Sequence, residues 1–187
     1  MSSPPAVPTR HLPGFSAPAV GFEEPFAMLE ACHERVQRTL ALLERLRDHV
    51  RQHGADGNAR QAARDVLRYF DIAAPLHHED EELHVFPALL ARATPGIRAL
   101  VERLQRDHVA MAADWAAARV PLLALAEGHA QSFSEGDGAV VLARFAGRYA
   151  DHIRSEEDQA YPAALSRAEP AALERMGREM ARRRGAG

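Results

Sequence analysis

Histidines and glutamates four residues apart recur in this chain at a fixed interval. His77 is followed by Glu81 and then by Phe86-Pro87; 75 residues later, His152 is followed by Glu156 and then by Tyr161-Pro162. The same shift carries His33 onto His108, so 44 residues separate the two histidines of each half. On a helix, residues four apart sit one turn apart on one face, so each His-x-x-x-Glu pair can offer an imidazole and a carboxylate to one point in space. Four imidazoles and two carboxylates suit iron, and a carboxylate can bridge two ions. The six candidate metal ligands are therefore His33, His77, Glu81, His108, His152 and Glu156. Six donors do not saturate two ions, which leaves coordination positions for water, O2 or another small molecule.

A lone histidine on a helix face is usually a packed or surface residue, and an isolated His-x-x-x-Glu is usually a surface pair. Two such motifs in register, each with an upstream histidine at equal spacing, are a more specific signal. Six unpaired polar groups inside a bundle would also be costly without hydrogen bonds or a metal. The neighbouring groups fit less well. Glu82 and Glu157 lie five residues after the histidines, about 140° round an ideal helix, and are expected to face elsewhere. His78 is turned away in the same sense, and its partner in the other half is Ile153. His84 returns to the His77 face, with Gln159 as counterpart, and is expected at the surface, with a supporting or access-channel role as the alternative. Cys32 reads as a core thiol. Phe86-Pro87 and Tyr161-Pro162 read as packing and kink devices. His11, His49, His53 and His129 are assigned no chemistry.

The elements that must position these residues are helices. Ala, Leu, Arg and Glu dominate, and Val and Ile are sparse, so strands are not expected. A first helix starts at Glu23-Glu24-Pro25, carries Phe26, Leu29, His33, Val36, Leu40, Leu43, Leu46 and Val50 as a stripe, and stops at Gly54. A second is expected from about Ala59 to Arg92, kinked by Pro75 and Pro87. A third carries Ile97, Leu100, Leu104, His108, Met111 and Trp115, bends or stops near Pro121 and ends by Gly128. A fourth covers roughly 139–167 after a Ser/Gly/Asp loop at 132–138, and a short fifth covers about 171–183. The whole is an all-α fold, an antiparallel up-down-up-down four-helix bundle with a short C-terminal helix. Residues 1–21, rich in proline, read as a disordered arm; 22–167 form the bundle; 168–187 hold the short helix and a tail whose Arg182, Arg183 and Arg184 read as solvated.

Composition narrows the function classes. The 187 residues carry 23 Lys and Arg against 26 Asp and Glu, a formal charge of −3. No basic block interleaved with aromatics suggests nucleic acid. No run of about 18 uninterrupted apolar residues suggests a membrane span, and no signal peptide is seen. The single cysteine makes no internal disulfide, consistent with a reducing compartment, and a cytoplasmic location is expected.

Over residues 22–167, the set His33, His77-x-x-x-Glu81, His108 and His152-x-x-x-Glu156 resembles the hemerythrin-like HHE cation-binding domain, and the run from His77 to Pro87 is similar to that family's second-helix motif. The resemblance implies a four-helix bundle around two non-haem iron ions joined by an oxo or hydroxo bridge, with manganese or zinc as other occupants. It makes Glu81 and Glu156 bridging carboxylates and the four histidines terminal ligands. Oxygen-carrying hemerythrins have a second histidine four residues after the one in helix three, where this chain has Ala112. Their last carboxylate lies five residues after the final histidine, which would be Glu157; the internal repeat favours Glu156. The four-histidine, two-glutamate pattern is similar to bacterial iron–sulfur-cluster repair proteins and iron-sensing hemerythrin-like domains. The repair proteins carry a cysteine-bearing N-terminal domain that the proline-rich arm does not offer.

The expected function is an iron-binding protein whose di-iron centre binds, senses or reacts with O2, peroxide or nitric oxide. The expected partners are that small ligand and an electron-donor protein. Two other classes remain open at the level of sequence. One is a redox enzyme consuming peroxide or NO, or an iron-centre repair protein; no flavin, haem or CxxC motif marks its electron source. The other is a non-catalytic helical module with a zinc-filled or vestigial site.

Overall fold

The computed structural model describes residues 21–134 and 137–186, so the proline-rich arm and the tip of the 132–138 loop lie outside the described residues. Helix α1 spans Pro25–His53, with proline at its first turn, where the missing N–H costs nothing, and Gly54 at φ 75° as its stop. Helix α2 runs over residues 57–90, and Asp56 caps it by accepting from the Ala59 N–H. Helix α3 spans Pro95–Glu127, capped by Thr94 and closed by Gly128 in the left-handed region. Helix α4 runs over 138–165, interrupted by a turn at Gly147-Arg148, and helix α5 spans Pro170–Arg183. Helix α3 passes through Pro121 without stopping, and no strand occurs among the described residues.

At its prolines helix α2 departs from regular α geometry. The turn before Pro75 and the turn before Pro87 widen into π segments, Tyr69–Ala73 and Glu81–Val85, and helix α4 does the same before Pro162 with Glu156–Ala160. In each, a backbone N–H reaches five residues back: Ala74 to Tyr69, Phe86 to Glu81 and Tyr161 to Glu156. A proline ring clashes with the carbonyl four residues earlier, and one extra residue in the preceding turn relieves the clash without breaking the helix. Two of the three π segments therefore begin at Glu81 and Glu156.

Helices adjacent in sequence pack side by side, α1 on α2, α2 on α3 and α3 on α4, which is the up-down-up-down arrangement. The apolar interior forms two separate clusters. One contains Val36, Leu43, Phe70, Ala74, Met111, Phe145, Tyr149 and Ile153. The other contains Phe26, Leu29, Val85, Phe86, Leu100, Leu104, Tyr161 and Met176. On all four long helices the six histidines and glutamates fall between these clusters. Part of α3 has the length and mean hydropathy, 1.4 over 18 residues, of a membrane span. In the bundle, however, α3 is one wall and turns His108, Met111, Ala118 and Leu122 into the interior.

Helix α5 is not a solvated appendage. Met176 and Met180 enter the second cluster, and Arg183 and Arg184 both pair with the fully buried carboxylate of Asp80. Only Arg182 of the three C-terminal arginines is exposed, at 80%, which corrects the expectation of a solvated tail.

Candidate metal centre

All six expected residues are buried and meet between the two apolar clusters. They form two sets of donor atoms, each lying within 4.8 Å of one another: His33, His77, Glu81 and Glu156, and then His108, His152, Glu81 and Glu156. The glutamates belong to both sets, and their oxygens divide between the two. Glu156 turns Oε2 to His33 Nε2 at 3.1 Å and Oε1 to His152 Nε2 at 3.1 Å. Glu81 turns Oε1 to His77 Nε2 at 3.5 Å and Oε2 to His108 Nε2 at 3.3 Å.

The 75-residue shift in sequence is a pseudo-two-fold axis in space. The His33 and His77 rings stand 4.7 Å apart, and their counterparts His108 and His152 stand 4.9 Å apart. His33 faces the Tyr161 ring at 5.5 Å, as His108 faces Phe86 at 5.5 Å. The outer imidazole nitrogens follow the same symmetry. Glu157 of α4 accepts from His33 Nδ1 at 2.9 Å, while Glu82 of α2 accepts from His108 Nδ1 at 3.0 Å. Those bonds fix the tautomer that presents Nε2 to the interior. Glu82 and Glu157 do point away from the shared donor atoms, but they hold the histidines of the neighbouring helices, a role that ideal helix geometry did not assign. The remaining outer nitrogens, His77 Nδ1 and His152 Nδ1, make no hydrogen bond, although His152 Nδ1 lies 3.5 Å from Asp107.

Without a cation the cluster is electrostatically frustrated. Burial, and then the negative charge of Glu156, push the Glu81 carboxyl up to about 7. Glu156 stays well below the usual carboxylate range in spite of its burial, because the imidazoles of His108, His152 and His33 crowd its two oxygens. Burial also opposes charge on His108, yet the carboxylates of Glu156 and Glu81 beside its ring prevail and raise it to about 10. His77 is driven the other way, by burial and by the charge on His33. Glu81 Oε2, His108 Nε2, His152 Nε2 and both Glu156 oxygens are buried with no hydrogen-bond partner of adequate geometry. Orphaned polar atoms of this kind are costly, and all of them converge on the two donor sets. The residues therefore fit a pair of cations, which would replace the shared protons with a stronger positive charge.

Two further side chains enter the site. His78 stacks on His108 at 4.1 Å with the rings 14° from parallel, and its ring nitrogen belongs to a third donor set with His108 and His152. Nearly parallel stacked rings cannot both aim an in-plane lone pair at one point, so His78 lies against the His108 ring as an added imidazole. A step of 100° from His77 turns away from α1 but, on a helix flanked on both sides, turns toward α3. Tyr161, read from sequence as a packing residue, donates its hydroxyl hydrogen to Glu81 Oε1 and lies 3.3 Å from His33 Nε2. His84 is half-buried and pairs with Glu179 of α5, and Cys32 is buried.

The bundle and its core of histidines joined by two shared carboxylates define a class: helical proteins that hold metal in the bundle interior. The sequence matches the hemerythrin HHE cation binding domain over residues 24–164, and the chain belongs to that family. An uncharacterized protein of Haemophilus influenzae is similar to it, 34% identical over 136 residues that cover 73% of this chain and 76% of the relative. The protein is a metal-binding, hemerythrin-like four-helix bundle.

Proposed function

We propose that His33, His77, Glu81, His108, His152 and Glu156 hold two iron ions, and that the centre binds, senses or reacts with O2, peroxide or nitric oxide. The supporting observation is the division of Glu81 and Glu156, each with one oxygen turned to either histidine pair. A donor set of imidazole and carboxylate favours a borderline ion such as iron over the harder magnesium or calcium, and manganese or zinc are the other candidates. Iron at such a centre supplies open coordination positions and reversible electron exchange with a small ligand.

The chain's own residues supply the rest. Glu157 and Glu82 orient the His33 and His108 rings. Phe86, Val85, Leu29 and Leu104 pack next to the site and exclude bulk water. In the metal-free chain Tyr161 donates its hydroxyl hydrogen to Glu81 Oε1, and His78 adds a neutral nitrogen over the His108 face, its pKa lowered to about 3 by burial and by His108. A cytoplasmic location and an electron-donor protein as partner belong to the same reading.

Metal content and an optical spectrum, recorded before and after reduction, test it. Protein from iron-replete cells should be coloured and hold two irons per chain. Glu81→Ala, which removes an oxygen from both sets, should cost both irons, and His77→Ala should lower bound iron. Two irons retained in both variants, or colourless protein containing zinc alone, refutes the proposal.

A further inference from the structure

The two halves of the centre differ at one aromatic position: Tyr161 stands where the pseudo-two-fold places Phe86. The Tyr161 hydroxyl is fully interior, donates to Glu81 Oε1 and lies 3.3 Å from His33 Nε2. Glu81 Oε1 and His33 Nε2 are both donors of the first set. First-row ions hold oxygen and nitrogen ligands at about 2.0–2.2 Å, so donors at right angles round one ion sit about 3 Å apart. The phenol oxygen is therefore spaced from His33 Nε2 as a neighbouring ligand would be, and it also touches Glu81 Oε1 of the same set. A hydroxyl serving only to pack an aromatic ring would need one hydrogen-bond partner, not a place among donor atoms.

We propose that Tyr161 is a seventh protein ligand, coordinating as phenolate the ion held by His33, His77, Glu81 and Glu156. On metal loading the O–H bond breaks, an oxygen–metal bond forms and the proton passes to solvent; no electron moves. The extra negative charge falls on one ion of the pair, because Phe86 offers the other nothing. The two ions are thereby inequivalent although the histidines and glutamates around them are related by symmetry. His78, matched by Ile153 in the other half, adds to the difference from the opposite side.

The proposal rests on iron occupying the centre, and the test separates the two claims. The full chain is loaded with iron, oxidised to iron(III), and examined by metal analysis, visible absorption and resonance Raman. Expected are two irons per chain and a phenolate-to-iron(III) charge-transfer band whose Raman modes shift when ring-deuterated tyrosine is incorporated. Tyr161→Phe should keep the α-helical spectrum and lose the band, whereas Tyr69→Phe, altered in the other apolar cluster, should keep it. Wild-type protein with two iron(III) ions and no phenolate modes overturns the ligand assignment and leaves the iron reading standing. A band persisting in Tyr161→Phe overturns it as well. Wild-type protein that takes up no iron overturns both. The deuterium shift is read in wild-type protein and so does not depend on the variant folding.

Discussion

Removing Glu157 should weaken one ion and spare the other. Its carboxylate touches neither glutamate nor any imidazole Nε2; it accepts from His33 Nδ1 at 2.9 Å. Losing such a support commonly costs about 10- to 100-fold in metal affinity, because the ring loses its fixed tautomer and some basicity. Glu157 is 39% exposed, so water can replace part of the lost bond, and the lower end applies: about tenfold, or about 1.4 kcal/mol. Glu82, 35% exposed and 3.0 Å from His108 Nδ1, should give the same loss for the other ion. Competition against a coloured chelator resolves the two binding steps, and each Glu→Ala variant should shift one of them. The two supports are on different histidines, so the double variant should show nearly the sum, to within about 0.5 kcal/mol. Glu156→Ala should lower both steps. A Glu157→Ala protein with wild-type affinity, or with losses in both steps as large as those of Glu156→Ala, would refute the separation of roles between these adjacent glutamates.

Two further outcomes follow from the surroundings of the site. His78 has its folded-state pKa lowered from 6.5 to about 3, by burial first and by His108 second, so its contribution to stability is complete above pH 6.5 and is lost as pH falls below it. Between pH 6.5 and 5 that loss is up to about 2 kcal/mol, and urea unfolding of metal-free His78→Gln should show a correspondingly shallower fall than wild type; parallel slopes would contradict it. Replacing Arg183 and Arg184 together by alanine leaves the Asp80 carboxylate buried and unpaired, with an expected cost of about 3–5 kcal/mol in chemical unfolding; a change below 1 kcal/mol would mean that the clamp is not what seats α5.

Much of the candidate site was legible in one regularity, the equal shift that maps His33, His77 and Glu81 onto His108, His152 and Glu156, six residues that the fold brings together. Helical periodicity and the glycine and proline punctuation placed the four long helices to within a few residues. The parts that were not legible share a cause, which is reasoning with an ideal helix seen from one side. A fixed 100° per residue set aside His78, Glu82 and Glu157, although α2 and α4 meet other helices on several faces. The prolines at 75, 87 and 162 were visible, but the wide turn before each was not, because a proline in sequence shows which hydrogen bond is lost and not which register the backbone takes up instead. Tyr161 was read by its ring; its hydroxyl mattered only once α4 was known to face Glu81 across the bundle. Arg183 and Arg184 looked like a tail because Asp80, their partner, carries no sign in sequence that it is buried.

The division of the interior into two apolar clusters has a consequence for how the protein comes apart. Each cluster draws on all four long helices, and what joins them is a layer of polar side chains that repel or orphan one another when no cation is present. Such a layer is a weak plane across every helix, and the two ends of the bundle can open as separate cooperative units. A pair of ions bound across that plane would tie each end to the other and make unfolding a single event. Amide exchange in the metal-free chain would then report two thresholds, and in the loaded chain one, so that metal occupancy is registered along the whole length of the bundle.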